Sequence, residues 1–378
     1  MRMPVDAVAL TRELIRFDTI NPPGREKPCA EHIGGLLEEA GFQCAYVAMG
    51  EGRANLVARL GGAGDRPPLA FTGHIDVVPL GARAWATDPF GAETGDGKIF
   101  GRGASDMKSG VAAFVAAAID RAPALASGPG AVLIITAGEE TGCAGAFHLV
   151  ETSMPVIGKA GALVVAEPSS NRPLVGHRGA LWLKATAHGV TAHGSMPDKG
   201  VNAVYKAARA VSKLEAFDFN VARHAVLGAP TLNVGWMHGG INVNSVPDLA
   251  EIGIDLRTIP SQKHARLKEH IASYLGEEIE LSTTIDVEGI WTEPADAWMH
   301  NVFAAVRDVC GAEPMVEAAP YFTDGSVLMP ALGGVPTVVL GPGPAHMAHQ
   351  TDEYCEIARI EEATEIYRRL IDQWCSAS

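Results

Sequence analysis

Four apolar runs in this chain each end in an acid or an imidazole. "LAFTGH" closes on His74, "LIITAGEE" on Glu139 and Glu140, and "LVVAEP" reaches Glu167. "TVVLGPGPAHMAHQ" leads through a Gly/Pro loop to His346 and His349. Short apolar runs without polar alternation predict strands buried on both faces, and such strands alternating with helices predict an α/β sheet covered on both sides. In sheets of this kind ligands bind where the carboxyl ends of the strands emerge. The residues that close the runs are therefore expected along one edge. A further acid, Asp106, stands in the glycine-punctuated loop "GRGASDMKSG", just before an Ala-rich helix predicted over 109–121.

Taken singly, each of these residues has a plain reading, because strand-end acids are commonly solvated and a lone histidine commonly serves packing. Together they would repel one another and be costly to desolvate, unless divalent cations offset the charge. Two imidazoles with several carboxylates suit zinc, with manganese or cobalt also acceptable. The adjacent pair Glu139-Glu140 allows one carboxylate to hold a metal while its neighbour takes a proton from water, and two ions about 3.5–4 Å apart would sharpen that water and polarise a carbonyl. Asp76, two residues after His74, suits the group that accepts the second N–H of a metal-bound imidazole.

The rest of the chain is organised around these runs. Helices are predicted over 5–17 and 27–41, and strands over 43–48 and 54–60. The middle third reads differently. A strand over 180–189 precedes a helix over 201–216, with Val204, Ala208 and Val211 on one face. In "TLNVGWM", Leu232, Val234 and Trp236 fall on one side; in "DLAEIGIDLRT", Ala250, Ile252, Ile254 and Leu256 face away from Glu251, Asp255 and Arg257. A helix with Leu267, Ile271 and Leu275 and the strand "EIELSTTIDVE" complete a β-α-β-β-α-β order, that of a ferredoxin-like unit. This predicts a smaller α+β domain over 178–289, interrupting an α/β domain made of 1–177 and 290–378.

The length of 378 residues suits two domains, and a formal charge of −14 argues against a nucleic-acid partner. No run of eighteen apolar residues exists, so no membrane span is expected. The N-terminal stretch "MRMPVDAVALTRELIRF" is amphipathic and interrupted by acids, unlike a signal peptide. The six cysteines are scattered without a CxxC pair, as in a reduced, cytoplasmic protein.

With these residues in place, "GHIDVVP", "GRGASDMKSG", "ITAGEETG", "VVAEPSS" and "AHQTDEY" resemble the successive motifs of one co-catalytic zinc amidohydrolase family. That family contains acetylornithine deacetylase, succinyl-diaminopimelate desuccinylase, glutamate-releasing carboxypeptidase, aminoacylases and dipeptidases. The resemblance runs in order from about residue 70 to 357 and implies a zinc-peptidase-like catalytic domain with a central mixed sheet. It implies that Asp106 bridges two metals, that His74 and Glu167 complete one site, and that Glu140 and His349 complete the other. Glu139 would be the general base and Asp76 the orienter of His74, and a cis peptide would follow Asp106. His349 is preferred over His346, which is read as a rim residue.

The interrupting domain resembles the family's dimerisation or lid domain. By that resemblance His193 reaches a neighbouring active site in a homodimer and stabilises the oxyanion. Arg178, Asn244 and Arg257 would contact the substrate's carbonyl or carboxylate, although Arg257 has the plainer alternative of pairing with Asp255 or Glu251. His188 is read as structural. The "TDGS" loop would line the pocket, with Asp324 or Ser326 facing substrate. The base motif "TAGEETG" departs from the Asp-Glu-Glu form of desuccinylases, and "YFTDGSVL" matches neither the desuccinylase nor the acetylornithine deacetylase version closely, so the substrate stays open.

The function expected is hydrolysis of the amide bond of an N-acylated amino acid or related small carboxylate. The alternatives are a carboxypeptidase or dipeptidase acting on short peptides, and a catalytically silent binding protein on the same fold.

Overall fold

The computed structural model describes residues 5–62 and 66–376; the first four residues of the N-terminal amphipathic stretch lie outside them. The chain divides into two compact units, one formed by Met1–Gly176, Trp291–Ala319 and Thr323–Ser378, the other by His177–Ile290 with Pro320–Phe322.

In the first unit the apolar runs are strands, and they lie side by side. The sheet order is Gln43–Gly50, Arg53–Leu60, Ala131–Thr136, Leu69–His74, Ala162–Val165, Thr337–Val339, Leu174–His177 and Ile290–Trp291, with Glu317–Ala319 pairing on Leu174–His177. The four central strands are parallel: Leu69–His74 runs with Ala131–Thr136 on one side and Ala162–Val165 on the other, and Thr337–Val339 runs with Ala162–Val165. Every residue of these four strands is buried, which is why their sequences lack alternation.

The helix Lys108–Asp120 explains the Ala-rich run. All of Lys108 to Ile119 is buried, because the helix touches the strand Leu69–His74 on one side and the helices Ala7–Ile15 and Ile357–Ser376 on the others. Phe114 stacks on Phe71 at 5.8 Å, and Tyr367 meets Phe71 edge-on at 5.5 Å. Small residues bring this helix close to the sheet. A Cβ on Gly73 would lie 2.6 Å from Met107 Cε, and one on Gly110 would lie 2.1 Å from the Ala166 carbonyl oxygen.

The second unit is a four-stranded antiparallel sheet in the order Thr231–Gly239, Leu249–Thr258, Gly179–His188, Ile279–Val287. Its helices, Ala203–Glu215 and His264–Leu275, share a core with Leu181, Leu183, Ile252, Ile254 and Leu256. Element order and sheet order are those of a ferredoxin-like fold.

Two details differ from the sequence reading. The helix expected to bury Val204, Ala208 and Val211 instead buries Ala203, Ala207, Ala210 and Leu214; Val204 and Val211 are partly buried at its flanks and Ala208 is exposed. The Asn202 side chain caps the helix through Tyr205 N–H, and the alanine row lets its backbone approach the sheet. Trp236 does not continue the face of Leu232 and Val234. A register shift at Gly235 pairs Val234 with Ile254 but Trp236 with Gly253, turning the indole to the polar face. Gly253 leaves it room, since a Cβ there would lie 2.2 Å from Trp236 Nε1.

Candidate metal centre

Parallel strands put their carboxyl ends on one edge, and the acids and imidazoles of the first unit meet there. His74 is the last residue of its strand. Its Nε2 lies 3.1 Å from Asp106 Oδ1 and 3.7 Å from Glu167 Oε1. His349 Nε2 lies 3.0 Å from Glu140 Oε2 and 3.6 Å from Asp106 Oδ2. His74, Asp106 and Glu167 thus form one three-residue group with ligand atoms within 4.8 Å of one another, and Asp106, Glu140 and His349 form a second. Asp106 belongs to both through its two oxygens. The peptide bond Asp106–Met107 is cis.

The donor set suits divalent cations. Glu140 Oε1 is buried without a hydrogen-bond partner, an acceptor that a protein leaves orphaned only at a cost. Three carboxylates and two imidazoles make up the two groups. Burial, then the charge of Glu167, pushes the Glu139 carboxyl well above its ordinary value. Burial likewise raises Glu167 well above it, and burial with the Asp106 charge raises Glu140. Burial opposes the charge on His74, but Glu167, Asp106 and Asp76 outweigh it and lift the imidazole well above its usual range. Bound cations would relieve this crowding.

Glu139 stands apart from both groups. It is 6% exposed, and the Cys143 thiol points at its Oε1 from 3.9 Å. Glu139 is a buried carboxylate beside the two groups that belongs to neither.

Asp76 does more than the sequence reading assigned it. His74 Nδ1 faces the Asp76 main-chain oxygen at 2.9 Å and the Asp76 carboxylate at 3.5 Å. The carboxylate also accepts the N–H groups of Glu139 at 3.1 Å and Glu140 at 3.3 Å, and the Asn21 side-chain amide at 2.9 Å. One buried acid therefore backs the imidazole and anchors the Glu139–Glu140 turn. Asn21 carried no signal in the sequence; neither did Arg102 and Glu353, buried beside Asp106. The only hint was that charged residues flank two motifs, "GRG" and "TDEY".

The remaining candidates are placed as follows. Asp324 is 2% exposed, and its Oδ2 accepts the Thr136 hydroxyl at 2.5 Å; burial pushes it up to about 6. Its charge acts on Glu139 and Glu167. Ser326 is buried with its hydroxyl unpartnered. His346 is exposed, its ring 6.5 Å from that of Tyr354.

In the second unit His193 is exposed, its Nδ1 2.7 Å from the Ser195 hydroxyl. Asn244 is exposed, and its carbonyl accepts Gly194 N–H at 2.8 Å. Arg178 donates to the Leu227 carbonyl. Arg257 pairs with Asp255 at 3.0 Å, the plainer of its two readings, and lies over the Trp182 ring. His188 faces Glu280 at 3.4 Å.

Known proteins resemble this chain in sequence and in fold. The family described as Peptidase family M20/M25/M40 matches residues 70–373. A succinyl-diaminopimelate desuccinylase of Cereibacter sphaeroides is 34% identical over 98% of this chain and 100% of its own length. One from Ruegeria pomeroyi is 30% identical over 98% of this chain and 99% of its own. Among solved structures, an M20 family metallo-carboxypeptidase from Sulfolobus solfataricus has the same fold. Its TM-score is 0.82 at 18% identity, with 99% of this chain and 100% of that one covered. Sequence over nearly the whole chain and the fold thus agree, and the chain belongs to peptidase family M20/M25/M40 as a metal-dependent amidohydrolase with groups of residues suited to metal.

Proposed function

We propose that this enzyme hydrolyses the amide bond of an N-acylated amino acid or related small carboxylate, a deacylase close to the desuccinylases it resembles in sequence. The observation that carries the reading is the pair of three-residue groups joined by Asp106, with Glu139 buried beside them and belonging to neither.

Two divalent cations, zinc before cobalt or manganese, would supply Lewis-acid polarisation of the carbonyl and acidify a water between them. His74, Asp106 and Glu167 would hold one, and Asp106, Glu140 and His349 the other. Glu139 takes the proton from the attacking water and returns it to the leaving amine. Asp76 holds His74 and the Glu139–Glu140 turn in register through the bonds described above. His193, in trans from a second subunit, steadies the developing oxyanion. Arg178, Asn244 and Arg257 would meet the substrate's carbonyl or carboxylate, with Ser326 or Asp324 at the pocket wall.

A homodimer is supported by the exposed apolar side chains of the second unit, Ile241 at 94% and Val243 at 102% exposure, beside the unpaired edge strand Thr231–Gly239. A cytoplasmic setting is supported by six free cysteines. Among the described residues no helix is long and apolar enough to cross a membrane.

The test is metal content by mass spectrometry on chelator-free protein, followed by a hydrolysis screen. N-succinyl, N-acetyl and N-formyl amino acids are offered with zinc or cobalt added back. The expected result is about two ions per chain and amine release that chelator abolishes. Faster turnover of di- or tripeptides would replace the deacylase reading with a peptidase. Full metal loading without turnover of either class would mark a silent binding protein.

A further inference from the structure

We propose that Glu353 is a positioning residue for the metal centre: it fixes the loop carrying Asp106 and, through Arg102, the loop carrying His349. The inference rests on the metal reading above. Glu353 is wholly buried. Its Oε1 accepts the N–H groups of Ser105 at 2.8 Å and Asp106 at 2.9 Å, and its Oε2 accepts Gly103 N–H at 3.1 Å and Arg102 Nη1 at 2.7 Å. Its own carbonyl takes Gly101 N–H at 2.9 Å. Arg102, equally buried, donates onward to the carbonyls of Gln350 and Pro79, each at 3.2 Å, and lies 5.1 Å from the Trp85 ring centroid.

The segment Gly101–Asp106 contains two glycines at positive φ, 152° and 88°, so it has little stiffness of its own. Five of its polar hydrogens find their acceptor on a single distant residue. The same guanidinium then reaches the residue after His349 and the segment that follows Asp76. Asp106 must present one oxygen to each ligand group, so a small rotation of its loop disturbs both. As a source of stability alone a buried ion pair is a poor choice, since apolar side chains of similar volume often do as well. Its value here is geometric, as with other partners that hold metal ligands from behind.

The test titrates zinc alone into metal-free protein by calorimetry, with chelator competition. Four proteins are compared: wild type, Glu353→Gln, Arg102→Lys, and Asp120→Asn as a control that breaks the Arg368–Asp120 pair elsewhere in the unit. Glu353→Gln is expected to weaken binding of both ions by about 10- to 100-fold, Arg102→Lys by less, and Asp120→Asn to lower the melting temperature while leaving zinc affinity unchanged. Wild-type affinity in a folded Glu353→Gln protein would overturn the proposal, leaving the residue a structural one. If that variant does not fold, unchanged affinity in Arg102→Lys overturns it instead. A wild type that takes up no zinc removes the metal reading and this proposal with it.

Discussion

Burial and the charge of Glu167 push the Glu139 carboxyl well above its ordinary value, the direction that suits a group proposed to accept a proton and give it back. Glu139→Gln keeps the size and removes the basicity. It is expected to lower kcat by about 10²–10⁴-fold with metal content unchanged, read by steady-state kinetics beside mass spectrometry. The raised carboxyls also predict how the metal-free protein answers to pH. A carboxyl whose folded pKa lies above its unfolded value binds more protons in the folded state, so its contribution to stability is lost as pH rises through the folded value. Glu139 and Glu167 both have this sign, starting from the ordinary value of 4.5, and His74, also raised, adds to it. Metal-free protein should therefore melt progressively lower, relative to metal-loaded protein, as pH rises above the ordinary carboxyl value of 4.5. Glu167→Gln should flatten that difference in paired thermal melts. At this scale the sequence was legible where side-chain chemistry closes an apolar run, as at His74, Glu140 and Glu167. The anchors Asp76, Asn21 and Glu353 were wholly or partly illegible, because accepting or donating a main-chain bond leaves no spacing for the eye to find.

The parallel strands succeed as a scaffold because the helix Lys108–Asp120 lies close against them, and that closeness is set by missing side chains. Gly110→Ala would drive a methyl into the Ala166 carbonyl, next to Glu167. A loss of about 1–3 kcal/mol is expected, measured by denaturant unfolding. Gly35→Ala, in the helix Lys27–Glu39, meets nothing within 4 Å. It is expected to gain about 0.5–1 kcal/mol in the same assay. Strands of the first unit could be read because burial on both faces erases alternation. The second unit exposed the limits of that method. A one-residue bulge at Gly235 leaves the polar-apolar pattern unchanged on paper while turning Trp236 over. The helix Ala203–Glu215 buries alanines where the larger valines had drawn the eye.

At the scale of the whole molecule, two units of different architecture are threaded on one chain, and the carboxylate-rich site ties together distant stretches of the first. Chelation should release that tie. With metal at a thousandfold over its dissociation constant, loading is worth about 4 kcal/mol, so metal-free protein should melt measurably lower in calorimetry. Placing charge at Ile241 and Val243, as Ile241→Glu with Val243→Glu, should leave metal content alone. If those side chains lie in a subunit interface, the variant should elute as a monomer in size-exclusion chromatography with light scattering. The threading also orders events in time. His74, Asp106, Glu140 and Glu167 all precede the His177–Ile290 unit, whereas Thr337–Val339 and His349 follow it. A ribosome translating this message finishes His74, Asp106 and Glu167, then spends more than a hundred codons on a separate fold before His349 emerges. A chain cut short by a frameshift in between would carry His74, Asp106 and Glu167 without Glu353, whose carboxylate takes the main-chain N–H groups of Ser105 and Asp106, and so would lack the frame that holds them.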